Sequence, residues 1–113
     1  MPVKNICQCP NPPGGYVECS KDQMALCIVE GNVVRRVCQE VVKNENDLGI
    51  VNFALSIVTG AKRLSNAKVS NSDIRLLRSG EFEGTGLFLT FSLPETIIQS
   101  LNRIDRNRGR LLK

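Results

Sequence analysis

Histidine and tryptophan are both absent from the 113 residues. Without histidine the chain has no imidazole base, no Ser–His or Cys–His catalytic pair and no imidazole metal ligand. A metal site would therefore rest on cysteine thiolates, with carboxylates in reserve. Aromatic residues make up only 4% of the chain, so we expect a core of Val, Ile and Leu with a few Phe side chains.

Long apolar runs are also missing. No run approaches the roughly 18 residues that a membrane-spanning helix needs, and residues 1–6 lack the charged-then-apolar pattern of a signal peptide. We therefore expect a cytoplasmic protein with no membrane partner. In the cytoplasm stable disulfides are unusual, except in hyperthermophiles.

All five cysteines lie in the first third of the chain, and they are the residues that could hold a metal. Four thiolates suit zinc in a closed tetrahedral site, which would compensate for a small core. The spacing lacks the paired C-x-x-C knuckles of well-defined zinc sites. We predict a possible zinc cofactor, with small buried apolar residues or disulfides with one odd thiol as alternatives. The predicted ligands are Cys7, Cys9, Cys19, Cys27 and Cys38.

Two local patterns occupy this cysteine-rich region. Three prolines and the pair Gly14 and Gly15 predict a rigid, irregular loop over residues 5–20. Residues 24–30 and 33–38 then predict a β-hairpin, because Gly31 and Asn32 between them are typical of a type II′ turn. In that register Cys27 and Cys38 are diagonal neighbours on one face, roughly 7–8 Å apart.

A polar break at residues 43–47 predicts a boundary between a cysteine-rich subdomain (1–43) and a small domain with a basic tail (44–113). From residue 47 the apolar spacing becomes helical, and it predicts a helix over 47–59 that begins near Asn46 and ends at Gly60. Apolar residues cover much of its circumference. We therefore expect this helix to be buried or covered by a partner.

The second segment continues with two helices and one strand. Ser70 and Asp73 have capping-box spacing and predict a helix over 71–79. Alternating residues predict a strand over 87–93, and Pro94 opens a last helix that runs into the basic tail. The predicted fold is α+β: a cysteine-rich N-terminal loop and β-hairpin packed on a helix–helix–strand–helix unit.

The net charge is +4, and the excess of basic residues lies in two segments, 62–78 and 103–113. Such basic patches suit a polyanion such as nucleic acid, although a solvated basic surface would look the same. Without interleaved aromatic residues to stack on bases, binding would be to the backbone and largely non-specific. The candidate contacts are Lys62, Arg63, Lys68, Arg75, Arg78, Arg103, Arg106, Arg108 and Arg110.

These patterns predict a non-enzymatic binding module, stabilised by zinc and contacting a polyanion. One alternative is a protein–protein adaptor or a subunit of an oligomer that uses the apolar helix 47–59. A cysteine-dependent enzyme is a third, in which Cys9 or Cys19 would act as a thiolate. No partner base for that thiolate can be named from the sequence.

Overall fold

The computed structural model describes residues 4–111, with side chains described for residues 4–108. Over these described residues the chain is α+β, as predicted, with strands in two antiparallel sheets and three helices. Among the described helices, none is long and apolar enough to cross a membrane. The elements are β1 (Lys4–Gln8), β2 (Tyr16–Ser20), β3 (Gln23–Glu30), β4 (Val33–Glu40), α1 (Asp47–Thr59), α2 (Asn71–Ser79), β5 (Glu81–Gly84), β6 (Leu87–Ser92) and α3 (Glu95–Leu111).

The larger sheet has four strands in the order β4-β3-β6-β5. The predicted hairpin forms β3 and β4, and its register is confirmed because Cys38 lies opposite Ala25, which makes it the diagonal neighbour of Cys27. Gly31 has φ +61°, a value that the first position of a type II′ turn requires. β3 is the most buried strand, since both faces of the sheet are covered at its position.

A second hairpin, β1–β2, forms a layer on one face of this sheet, where it contacts β3, β4 and β6. The predicted irregular loop over residues 5–20 is therefore wrong at both ends, and only residues 9–15 remain irregular. Asn5 helps to dock the layer, because its Nδ2 donates to the carbonyls of Gln23 and Ser92 at 2.7 and 2.8 Å. We call β1 and β2, together with the loop 9–15 that joins them, the hairpin layer.

The opposite face of the sheet packs against the helices. Asn46 caps α1 by accepting a hydrogen bond from the Gly49 amide, and Gly60 ends it at φ +75°. The Ser70–Asp73 capping box at the start of α2 is confirmed. The buried side chains on this side form the main core, which comprises Met24, Leu26, Val41, Ile50, Val51, Ala54, Leu55, Val58, Val69, Ile74, Leu77, Leu89, Phe91, Ile97 and Leu101.

The predicted boundary near residue 43 falls between β4 and α1. Strand β3, which precedes the boundary, hydrogen-bonds to β6, which follows it. Met24 and Leu26 likewise share the main core with Leu55 and Ile97. The segments 1–43 and 44–113 therefore contribute to one sheet and one core.

Candidate functional site

Four of the five cysteines are joined in two disulfides, Cys9–Cys27 and Cys19–Cys38. In each bond the Cα atoms are 5.5 Å apart, within the usual range for a disulfide. Within residues 4–111 no group of three or more Cys, Asp and Glu side chains is arranged to hold a metal ion. The predicted zinc site is therefore wrong, because bonded sulfurs have no free thiolate to offer a metal.

Each disulfide links the hairpin layer to the four-stranded sheet. Cys27 and Cys38 share one face of β3 and β4, as predicted, while Cys19 lies on β2 and Cys9 follows β1. The hairpin layer brings its own cysteines over that face. Such bonds are typical of oxidising compartments, and inside cells they are common mainly in hyperthermophiles. Outside hyperthermophiles they favour an oxidising compartment over the cytoplasm that the sequence predicted.

The remaining cysteine, Cys7, is a buried free thiol between the hairpin layer and the sheet. Its Sγ lies 3.4 Å from the hydroxyl oxygen of Thr90, which itself donates to the Gln8 carbonyl at 2.7 Å. Burial raises the pKa of the Cys7 thiol, and its hydrogen bonds with Thr90 and with the Cys27 backbone oppose that shift. The thiol is therefore protonated at neutral pH, unlike the thiolate that a catalytic cysteine requires.

Several of the arginines predicted to contact nucleic acid form hydrogen bonds within the chain. Arg63 is the clearest example, since its Nε donates to the Asn52 side chain at 2.8 Å. Its Nη2 donates to the Lys68 carbonyl at 3.0 Å and to Asp73 at 3.3 Å. Asn52 is fully buried and also donates to the carbonyls of Ser65 and Ala67.

Asn52 is thus the organising side chain of the 60–69 loop, and sequence reasoning missed it. The sequence did contain a signal for this role: Asn52 carries an amide in the middle of an apolar helix, where a buried polar group requires hydrogen-bond partners.

Arg103 also forms hydrogen bonds within the chain, because its Nε and Nη2 donate to the two Asp47 carboxylate oxygens at 2.9 and 2.8 Å. This contact holds the pKa of the Asp47 carboxyl below its ordinary value.

Two further arginines connect α2 to α3. Arg78 donates to Asn102 at 3.2 Å and to Asp105 at 3.0 Å. At the other end of α2, Arg108 donates to the Asn71 side chain at 2.7 Å. The two helices therefore run antiparallel. Arg108 also donates to the carbonyl of Val69, just before α2.

The line where α2 meets α3 is rich in cations. Arg75 follows Asn71 by one helical turn and Arg106 follows Asn102 by one turn, so each lies on the same helix face as a residue of the α2–α3 contact, and both are exposed. Lys68 is exposed beside Val69, which Arg108 contacts. We call this surface the basic seam, and it comprises Lys68, Arg75, Arg78, Arg106 and Arg108.

Charge on the seam is only partly neutralised. Asp105 pairs with Arg78, whereas Lys68, Arg75 and Arg106 form no ion pair with another described side chain. Lys62 is exposed in the preceding loop. The last predicted cation, Arg110, lies outside the residues whose side chains the structure describes. Residues 4–59, by comparison, carry six acidic and five basic side chains.

The apolar helix that suggested an adaptor packs within the chain. α1 contacts α3, and its apolar side chains are buried or packed against the main core. The apolar circumference noted in the sequence is therefore explained by the packing of α1 within the chain.

Comparison of the chain with family models, with curated proteins and with solved structures found no match.

Proposed function

We propose that this protein is a non-enzymatic module that binds the phosphate backbone of nucleic acid through the basic seam. The observation that carries the proposal is the antiparallel contact of α2 and α3 through Arg78 and Arg108. This contact brings together two helices that are about thirty residues apart in the sequence and that carry the exposed cations Arg75 and Arg106. Clustered lysines and arginines bind nucleic acid because they neutralise phosphates and release the counterions condensed on them.

The seam favours backbone contact over base readout. Tyr16, the only tyrosine of the sequence, lies on the hairpin layer, on the opposite face of the sheet from the helices that carry the seam. Without stacking side chains, affinity comes from phosphate neutralisation and counterion release. The binding should therefore be strongly salt-dependent and weakly dependent on sequence.

The test measures binding of a fluorescently labelled DNA duplex by anisotropy over a series of salt concentrations. The double variant Arg75→Gln with Arg106→Gln removes two exposed seam cations. We expect it to reduce the slope of log K against log salt by about 2, since each phosphate contact contributes roughly 0.9. Both residues are exposed, so the fold should be unaffected.

The matched control is the double variant Lys21→Gln with Arg35→Gln, which changes the net charge equally at exposed positions outside α2 and α3. It should leave the slope within experimental error of the wild type. Equal losses in the two double variants would show that only net charge matters, and they would reject the seam. A DNA affinity that does not change with salt concentration would reject the proposal altogether. Much tighter binding to heparin than to DNA at equal salt concentration would show that the preferred partner is a sulfated polysaccharide and not nucleic acid.

A further inference from the structure

The two disulfides differ in their access to solvent. Cys9 and Cys27 are 8% and 0% exposed, and both lie in the buried cluster between the hairpin layer and the sheet. In the other bond Cys19 is 4% exposed, but its partner Cys38 lies exposed on β4, the edge strand of the sheet. Only one of the four bonded residues is therefore open to solvent.

A surface pocket of about 470 Å³ leads to this second bond, and Cys19 and Cys38 both line it. The remaining lining residues are polar and carry balanced charges, with Lys4 and Lys21 beside Glu18 and Asp22. A small soluble thiol, whether charged or neutral, can therefore reach the bond through a polar, solvent-accessible pocket. Since thiol–disulfide exchange depends on access to the sulfur that is attacked, the two bonds should react at different rates.

We propose that Cys38 is a modification site at which a small thiol of the glutathione class forms a mixed disulfide. The thiolate attacks Cys38 Sγ, and a new S–S bond forms as the Cys19–Cys38 bond breaks. The electron pair of the broken bond leaves on the Cys19 sulfur, which takes a proton from water. A second thiol then attacks the mixed disulfide, which releases Cys38 as a thiol and the two small thiols as their disulfide.

The structure explains why attack occurs at Cys38 and not at Cys19. Cys19 is buried, so a nucleophile approaching from the pocket meets the exposed partner first. Exchange would free β2 from β4, while Cys9–Cys27 continues to hold the other end of the hairpin layer to β3.

The experiment treats the folded, oxidised protein with reduced glutathione. Samples are quenched with acid, alkylated with N-ethylmaleimide and mapped by peptide mass spectrometry. We expect the first adduct on Cys38, with maleimide on Cys19, at a rate about tenfold or more above the opening of Cys9–Cys27. The variant Cys7→Ser, which removes the internal free thiol, should give the same order. In denaturant both bonds should open at similar rates.

Three results would overturn the proposal. The first is opening of Cys9–Cys27 as fast as Cys19–Cys38 in the folded protein. The second is a glutathione adduct on Cys19 in place of Cys38, or an order of reduction that reverses in Cys7→Ser. The third is the lack of any adduct over a time in which the denatured protein is fully reduced.

Discussion

Cys27 and Cys38 lie diagonally on one face of β3 and β4, and each is bonded to a cysteine of the hairpin layer instead of to the other. Diagonal cross-strand neighbours are roughly 7–8 Å apart, which is too far for a direct disulfide. The hairpin layer brings Cys9 and Cys19 within 5.5 Å of their partners, measured between Cα atoms. The disulfides therefore join two layers of the fold.

The first prediction concerns the Cys19–Cys38 bond. Replacing both residues with serine should lower the free energy of unfolding by about 2–4 kcal/mol, because the unfolded chain gains freedom. Helical circular dichroism in water should persist, since the main core contains no cysteine. Urea unfolding followed by circular dichroism measures both quantities. Loss of helical signal in the absence of urea would contradict the independence of the main core.

The second prediction concerns Asn52. The variant Asn52→Ala should destabilise the protein by about 2–4 kcal/mol, because it removes the partner of two loop carbonyls and of Arg63. Urea unfolding provides the measurement. The control is Asn66→Ala, an exposed asparagine of the same loop, which should change stability by less than about 0.5 kcal/mol. Equal effects of the two variants would show that Asn52 does not organise the loop.

The third prediction concerns the pH dependence that Asp47 contributes. Arg103 lowers the pKa of Asp47 in the folded protein. The resulting stability is fully present above the ordinary carboxyl pKa of about 3.9 and is lost as the pH falls through the lower folded value. Asp47→Asn should therefore be less stable than the wild type at pH 7, and the difference in thermal midpoint should disappear on acidification. A difference that persists unchanged at the lowest pH would argue against the pair.

The control for the Asp47 measurement is Asp22→Asn. Asp22 is exposed and forms no ion pair with another described side chain. Its removal changes the net charge equally, so it reports the general effect of charge on stability. Only the excess loss in Asp47→Asn measures the contact with Arg103.

The fourth prediction concerns Cys7. Because the thiol is buried and its pKa is raised, iodoacetamide should modify it far more slowly in the folded protein than in urea. The folded protein is stable with this buried thiol uncharged. That contribution to folding stability is fully present below the ordinary thiol pKa of about 8.5 and is lost as the pH rises through the higher pKa of the folded state. Modification should thus accelerate at alkaline pH. Equal rates in the folded and unfolded chains would contradict its burial.

Features set by neighbouring residues were predictable from the sequence. The ends of α1 and α2 follow from Asn46, Gly60 and the Ser70–Asp73 capping box, which act within one turn of the chain. The β3–β4 register follows from a two-residue turn and alternating side chains. The positions of the basic residues were also evident. Which of them are held internally was not, because Arg63 and Arg75 look alike until Asn52 and Asp73 are placed beside Arg63.

Tertiary structure alone decided how the sulfurs pair and which cations line the basic seam. Both depend on contacts between residues far apart in the chain, such as β3 with β6 or Arg108 with Asn71. Local sequence patterns cannot specify these contacts. Bringing distant residues together costs the entropy of closing a long loop, and only the burial of side chains in the complete fold offsets that cost. The sequence by itself determined the three helices, the β3–β4 hairpin and strand β6, whereas packing determined the hairpin layer and which side chains meet.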